Sequence, residues 1–596
     1  GGGTLIKTGS GTFTLSVDNG YTGGTTVNQG TLVVGSVNGI WDSAGTIAVN
    51  SSGVLTTGNG IACHLGGPVL LAGGTLASGA PDGTWSSWSL DKDVHVTVNS
   101  VMSAVGVGLN NTVAGLNTFD VDGGVRLDVT GTIGNVNFTQ RLNKTGAGTM
   151  ILFCGNTHSN MTLVTAGTLA LSNTAALLAS TVSNGVPNGL VFKGGAAFAL
   201  GGLTGGAGIA LTNTAGAAVT LTVGGNGQST MYGGNLSGAG GLAKSGVGAL
   251  TLTGTNTHSG NTTVNAGILK LAAGGSISNS AIVSVGGGGT LDVSAASGFL
   301  VNTGQTIAGS GLVTGTVWTS SGSWIQPGAS NTVGTLTFTN TLTLAEGTTN
   351  VFDLVAATGT GGGTNDFISI GGDLTNQGAG AFIVINPLEL LTNGAVYRLI
   401  YYGGATNGCF NPTVTSAVPD SLYVLTLDET QPHWIKLGIT SVGGAASNLV
   451  WRGGTNAVWD YNNSVSWSNN LVFHHGDSVT FNDYGTSSVV TVSGTVVPVS
   501  MLVSNTTLGY TLQGPGVIAG LTGLTKKGTN TLTLTGSYSY TGPTTIDNGS
   551  LTLLNVTNFQ SSGIANSSSL ILNVSGTDMI GLTNGISGAG TVTKEG

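Results

Sequence analysis

Charge is scarce in this chain. Of 596 residues only 14 are basic and 23 acidic, for a formal net charge of −9. A nucleic-acid-binding surface needs a basic stripe, and none is present. Cysteine is nearly absent as well. Cys63, Cys154 and Cys409 lie far apart with no CxxC, which excludes a disulfide framework and a structural zinc site and predicts small buried thiols. With 11 prolines and no glycine triplet period, collagen is excluded. No apolar run reaches the ~18 residues of a membrane helix, and no signal peptide is visible. Strong helix formers are few, whereas a mean hydropathy of +0.31 argues against disorder.

What fills the chain is glycine, 106 residues of it, with Thr, Ser, Asn and Val. Thr and Val favour strands, and glycine at this density punctuates many short ones. One motif recurs four times. It reads LIKTGSGTFTLSVDNGYTGGTTVNQGTLVV from Leu5 and LNKTGAGTMILFCGNTHSNMTLVTAGTLAL from Leu142. From Leu242 it reads LAKSGVGALTLTGTNTHSGNTTVNAGILKL, and from Leu524 LTKKGTNTLTLTGSYSYTGPTTIDNGSLTL. A further copy begins as GTVTKEG at Gly590. Each copy reads as strand, Gly turn, strand, Asn/Gly turn, strand, with apolar residues alternating with Thr or Ser. The intervening stretches have the same texture, as in GTIAVNSSGVLTTG from Gly45 and AIVSVGGGGTLDVS from Ala281.

Such strands cannot bury an apolar face alone, but stacking each coil on the next buries it continuously. The fold predicted is therefore all-β, a parallel β-helix or β-solenoid, right-handed by the crossover rule. At roughly 20–25 residues and about 4.8 Å per coil, the chain makes about 25 coils and on the order of 120 Å of stack. Low charge suits this arrangement, because like charges stacked at that spacing repel.

The motif resembles the autotransporter-associated β-strand repeat, also called the passenger-associated transport repeat, with the pattern LxKxGxGTLTLxGxNTYTGxTTVNxGTLxL. Segments from Ile307 (IAGSGLVTG, WIQPGASNTVGTLTFTNTLTLAEGTTNVFDL, then TNDFISIGGDL and YRLIYYGG) and from Trp451 (WRGGTNAVWDYNNSVSWSNN, GDSVTFND) resemble sequences that accompany it. The resemblance implies a β-helical passenger region of a secreted or surface-displayed bacterial protein. It implies no catalytic residues, because the family has no catalytic signature. The outer-membrane barrel usual in the family is not in this stretch, and the GGG start and partial final motif are expected of a segment of a longer precursor.

Four regions follow. Residues 1–297 form a solenoid block with three motif copies, and 298–442 continue and close it. Residues 443–450 are a linker or tight turn, and 451–596 open a second block with the fourth copy. The last nine residues match the first nine, so coils are expected to continue end to end within a chain or between copies.

The candidate chemistry is thin. Asp120, Asp122 and Asp128 with Arg126, all even-numbered, are expected on one strand face unless Gly123-Gly124 turns the chain. They form a calcium or sugar site or simply a solvated outer face. Asp353, Asp366 and Asp373 are a second calcium candidate without the loop spacing calcium sites use. The histidines are His64, His95, His158, His258, His433, His474 and His475. His158 and His258 take the place of Tyr21 and Tyr540 and read as turn-flanking residues, and His474-His475 reads as a surface loop. Gly286–Gly289 reads as a turn or coil corner, not a phosphate loop. Trp451, Trp459 and Trp467, with Tyr461, either cap a coil stack or form a glycan-stacking platform, and Trp85 and Trp88 pose the same choice. Asn110, Asn137, Asn160, Asn261 and Asn505 are among many Asn-x-Ser/Thr glycosylation triplets, which this composition generates by chance.

No catalytic residue, cofactor or metal site is assigned. The expected function is an extracellular fibre, sheath or stalk on the bacterial surface, its partners being copies of itself. The alternatives are an adhesin gripping glycans or surfaces and, more remotely, a polysaccharide-degrading enzyme.

Overall fold

The computed structural model describes the chain except residues 41–43, 81–86, 137–139, 358–363, 389–390, 412, 417–422, 442–446, 455, 462, 557, 575–583 and 596. Among the described residues the only helical elements are single 3-10 turns at Ser294–Ala296 and Ser468–Asn470, and the rest is strand and turn. The strands stack as parallel coils into a β-solenoid of about 25 turns.

One coil shows how the sequence makes this shape. Leu524–Lys526, Thr531–Leu534 and Ser537–Tyr540 are three short strands joined by tight turns, each lying in a different sheet. The chain then returns, and Thr544–Ile546 pairs in parallel with Leu524–Lys526, Leu524 opposite Thr544. The coil is therefore 20 residues long. Leu142 opposite Thr162 and Thr162 opposite Val182 repeat that length in the first block. Within each strand alternate residues point inward. Parallel in-register pairing then lines them up in columns. Val27, Val49, Leu71, Val96 and Val121 lie one above another, each 0 % exposed.

Glycine is required where the turn is tightest. Gly167, at φ +62°, lies so close to the carbonyls of Gly146 and Gly148 in the coil below that a Cβ would fall 2.3–2.4 Å from their oxygens. The Gly286–Gly289 run, expected as a turn or coil corner, lies inside the long strand Ile282–Asp292. There it absorbs one extra residue between the pairs Val264–Val285 and Ala266–Gly288, a bulge that bends the strand around a corner.

The first stack closes differently from the way it runs. Val396–Tyr402, parallel to Phe367–Ile370 on one side, pairs antiparallel with Trp434–Ser441 on the other, and Tyr423–Asp428 pairs antiparallel beyond that. The hairpin covers a strand edge that would otherwise be an open template. Of the expected linker, residues 443–446 lie outside the described residues, while Asn448–Val450 is already the first strand of the second stack. The two stacks have separate cores, although Val497 and Ala519 of the second pack into the core of the first. No described helix is long and apolar enough to cross a membrane.

Candidate functional site

The repeat itself carries the most organised polar chemistry. Its lysine occupies an inward column between apolar neighbours, in columns that elsewhere also take a buried Asn184 or Asn566. Lys144 lies between Phe119 and Val164, Lys244 between Val223 and Val264, and Lys526 between Val503 and Ile546. These three are at most 1 % exposed and Lys7 is 8 % exposed. Each ammonium turns back to the glycine turn and to the coil above. Lys144 Nζ donates to the carbonyls of Thr145 (2.5 Å), Gly146 (2.9 Å) and Ala166 (3.2 Å). Lys244 repeats this on Ser245, Gly246 and Ala266. Lys7 does so on Thr8, Gly9 and Gln29, and Lys526 bonds Gly528 and Asn548. In Lys7, Lys144 and Lys244 three ammonium protons meet three backbone carbonyls, and in Lys526 two are met. Burial lowers Lys144 and Lys526 to about 8, so both remain charged at neutral pH.

A second buried clasp sits at the opposite corner of the same coil. His158 Nε2 lies 2.7 Å from Thr162 Oγ1, which lies 2.8 Å from Ser180 Oγ, linking two coils. His258, Thr262 and Ser280 repeat it at 2.9 and 2.7 Å. In the other copies a tyrosine hydroxyl takes the imidazole's place, Tyr21 on Thr25 (2.7 Å) and Tyr540 on Thr544 (2.8 Å). His158 and His258 stand in the turn segments just before the strands Thr162–Val164 and Thr262–Leu271, and both are buried there. Burial pushes both down to about 4, opposed by the backbone carbonyls of Ile133 beside His158 and Leu236 beside His258.

The aspartate group divides. Gly124, at φ +78°, turns the chain between Asp122 and Val125, so the four residues do not share one face. Asp120 and Asp122 meet His95, stacked on Asp120 by register, at 3.8 and 3.0 Å. Arg126 pairs with Asp128 at 2.8 Å on the next face. The His95–Asp120–Asp122 ligand atoms lie within 4.8 Å of one another, an exposed imidazole and two half-buried carboxylates with the donor set for a divalent cation. In the second candidate, Asp353 and Asp366 come together at 0 % exposure. The Asp366 carboxyl accepts the backbone N–H groups of Gly334 and Asp353, both at 2.8 Å. Burial pushes Asp366 up to about 8, so it holds its proton at neutral pH and is a poor calcium ligand. Asp373 is apart from them and accepts the N–H of Ala405 on the next coil.

The tryptophans of the second stack face inward. Trp451, Trp459 and Trp467 are at most 1 % exposed and meet edge to face at 5.2 and 5.5 Å, with Phe473 and Phe481 filling the remaining sides. No indole face is open to a sugar, and the glycan-platform reading of these three residues fails on burial. They form the floor from which the second stack rises, Val458–Trp459 pairing with Thr491–Val492. Trp88 is likewise buried, its Nε1 donating to Ala77 O, and Trp85 lies outside the described residues. His475, expected in a surface loop, is 7 % exposed and stacks on Tyr461 at 4.3 Å. Of the thiols, Cys63 is buried, Cys154 half-buried and Cys409 exposed, so only Cys63 matches the expectation.

Among the glycosylation triplets, Asn505 is 0 % exposed and its amide donates to the carbonyls of Leu508 and Thr531, which removes it as an acceptor. Asn110 and Asn160 are half-buried, Asn261 is exposed, and Asn137 lies outside the described residues.

The lysines that tie the coils were missed at the sequence level, although LxK places Leu and Lys two residues apart and hence on one strand face. The passenger-associated-transport-repeat family matches residues 5–34, 142–171, 242–271 and 524–553. The chain carries four passenger-associated transport repeats. Comparison with curated proteins returned no match. Repeats and coil stack together fit the passenger region of an autotransporter.

Proposed function

We propose that the chain is a non-catalytic structural passenger, a segment of an extracellular fibre, sheath or stalk displayed on a bacterial surface. The observation that carries this reading is where the repeat's ionisable groups go. Its four lysines and two histidines are turned inward as struts between consecutive coils instead of converging on an open cleft. At about 4.8 Å per coil, about 25 coils supply on the order of 120 Å of stacked length, divided between the two stacks. The partners in this reading are other copies of the chain, because coils built on one repeat present similar backbone edges to one another.

Immunogold labelling of the native cell surface followed by electron microscopy tests it. Label along filaments, a sheath layer or projecting stalks is the expected result. Label confined to the cell interior, or turnover of a polysaccharide by the purified chain, overturns it.

A further inference from the structure

The closing hairpin of the first stack gathers aromatic rings and cations on its outer face. Trp434 lies directly opposite Tyr401 across the antiparallel pair, ring centroids 5.0 Å apart, and Phe367 on the preceding coil lies 6.2 Å from the same indole. All three rings are half-buried, open on the outer side of the sheet. Arg398 reaches over Trp434 with its guanidinium carbon 4.5 Å from the ring centroid. A bulge between Arg398 and Ile400 brings Arg398 and Tyr401, three residues apart, onto one face.

The charges on this face are unusual for the chain. Arg398 is register partner to Lys436, so two of only 14 basic residues stand directly opposite each other. Like charges so placed destabilise a sheet. Among the described residues no carboxylate lies within ion-pair distance of either. Asp428, register partner of Lys436 on its other side, gives its carboxylate first to the N–H and hydroxyl of Thr430 and attracts Lys436 only more weakly, which leaves Arg398 as the uncompensated charge of the pair. Two apposed cations beside three aromatic rings, in a protein of net charge −9, complement a ligand that joins a carboxylate to an apolar ring face.

We propose that this face, centred on Trp434 with Tyr401, Phe367, Arg398 and Lys436, binds a carboxylate-bearing saccharide such as a uronic-acid polymer. The C–H face of the pyranose stacks on the rings, and the ring carboxylate takes Arg398 in a bidentate pair with Lys436 as the second cation. An acidic peptide added as a strand is disfavoured, because both edges of Val396–Tyr402 and of Trp434–Ser441 are already paired. The site is independent of the structural reading above and stands whether or not the chain assembles.

Calorimetric titration of the full chain with an oligogalacturonate, and with a neutral cello-oligosaccharide of equal length, tests the proposal. Binding of the acidic oligomer alone is expected, weakening as salt is raised. Arg398→Gln and Trp434→Ala should each weaken it by about tenfold or more. Thermal melts accompany each variant, and Arg398→Gln, which alters a half-exposed side chain, keeps the test open if Trp434→Ala unfolds. Absence of binding at millimolar ligand, equal binding of the neutral oligomer, or binding unchanged in a folded variant overturns the proposal.

Discussion

The coils of the second and third repeats and those of the first and fourth share one plan and carry different rings at one corner, buried in three of them and half-buried at Tyr21. In the former, His158 and His258 hold the Thr–Ser pair that joins two coils. In the latter, Tyr21 and Tyr540 hold the equivalent threonine. Both rings fill the same corner of the coil and both reach a hydroxyl. They differ in what acid does to them. A tyrosine hydroxyl, pushed upward by burial, stays neutral at every acidic pH, whereas an imidazole held down near 4 differs from its free value of 6.5 across the range where many surfaces acidify. Opposite that corner all four repeats share the lysine clasp. The comparison therefore separates a fixed strut from a titratable one on a common frame.

Removing the lysine that all four repeats share should have the largest effect. Lys144→Ala withdraws three donors from the buried carbonyls of Thr145, Gly146 and Ala166 and leaves a cavity between Phe119 and Val164. A loss of about 4 kcal/mol in local stability is expected. Hydrogen exchange resolved by peptide should show it in the coils flanking Lys144 and not around Lys526. A solenoid unfolds locally, so global denaturation is the wrong readout. Protection unchanged near Lys144 would show that the carbonyls find water instead.

The parts of this frame that could be read in advance, and those that could not, divide by physical cause. Alternating Thr and apolar residues between glycine turns left a single solution for burying each face, and repetition of the motif extended it along the chain. The lysine escaped because lysine is almost never buried, even though its strand parity, Leu142 and Lys144 inward around Asn143, was plain in the sequence. Parity also misled. Asp120 to Asp128 keep even spacing, yet the turn at Gly124 puts them on two faces. At Arg398 a bulge sets two outward residues three apart, which no alternation rule anticipates. Trp451, Trp459 and Trp467 were conspicuous in sequence, but whether indoles point out or fold together is decided by the turns between them. The bridge of Trp451 to Trp467 folds them together.

The titratable strut should give the next effect, and its sign follows from linkage. His158 and His258 sit near 4 in the folded chain and near 6.5 when unfolded, so between those values the unfolded chain binds more protons. Stability of their coils is then complete above about pH 6.5 and falls as pH drops toward 4. The loss is about 3 kcal/mol for each imidazole at the lower end. Hydrogen exchange at pH 4 compared with pH 7, corrected for intrinsic rates, should show protection lost around residues 158–184 and 258–285 and kept around 540–566. The double variant His158→Tyr, His258→Tyr should abolish the contrast. If the three regions respond alike to acid, the imidazoles are not what titrates.

The smallest effect sharpens the comparison from the tyrosine side. Tyr540→Phe keeps the ring, its edge-on packing at 5.7 Å against Phe559 and its burial, and removes only the hydroxyl that meets Thr544. Thr544 retains Ser561 as a partner at 2.9 Å, and Ser561 in turn donates to Gly542 O, so the network loses one bond and orphans no group. A loss of about 1 kcal/mol is expected, the same at pH 4 and pH 7. A loss that grew on acidification would mean that the hydroxyl network responds to acid without any imidazole in it, and the distinction between the two kinds of repeat would then rest on something other than the ring. A loss constant with pH leaves the imidazole as the one feature separating acid-sensitive coils from acid-indifferent ones. On that basis, exchanging Tyr540 for His would move the sensitivity into the second stack.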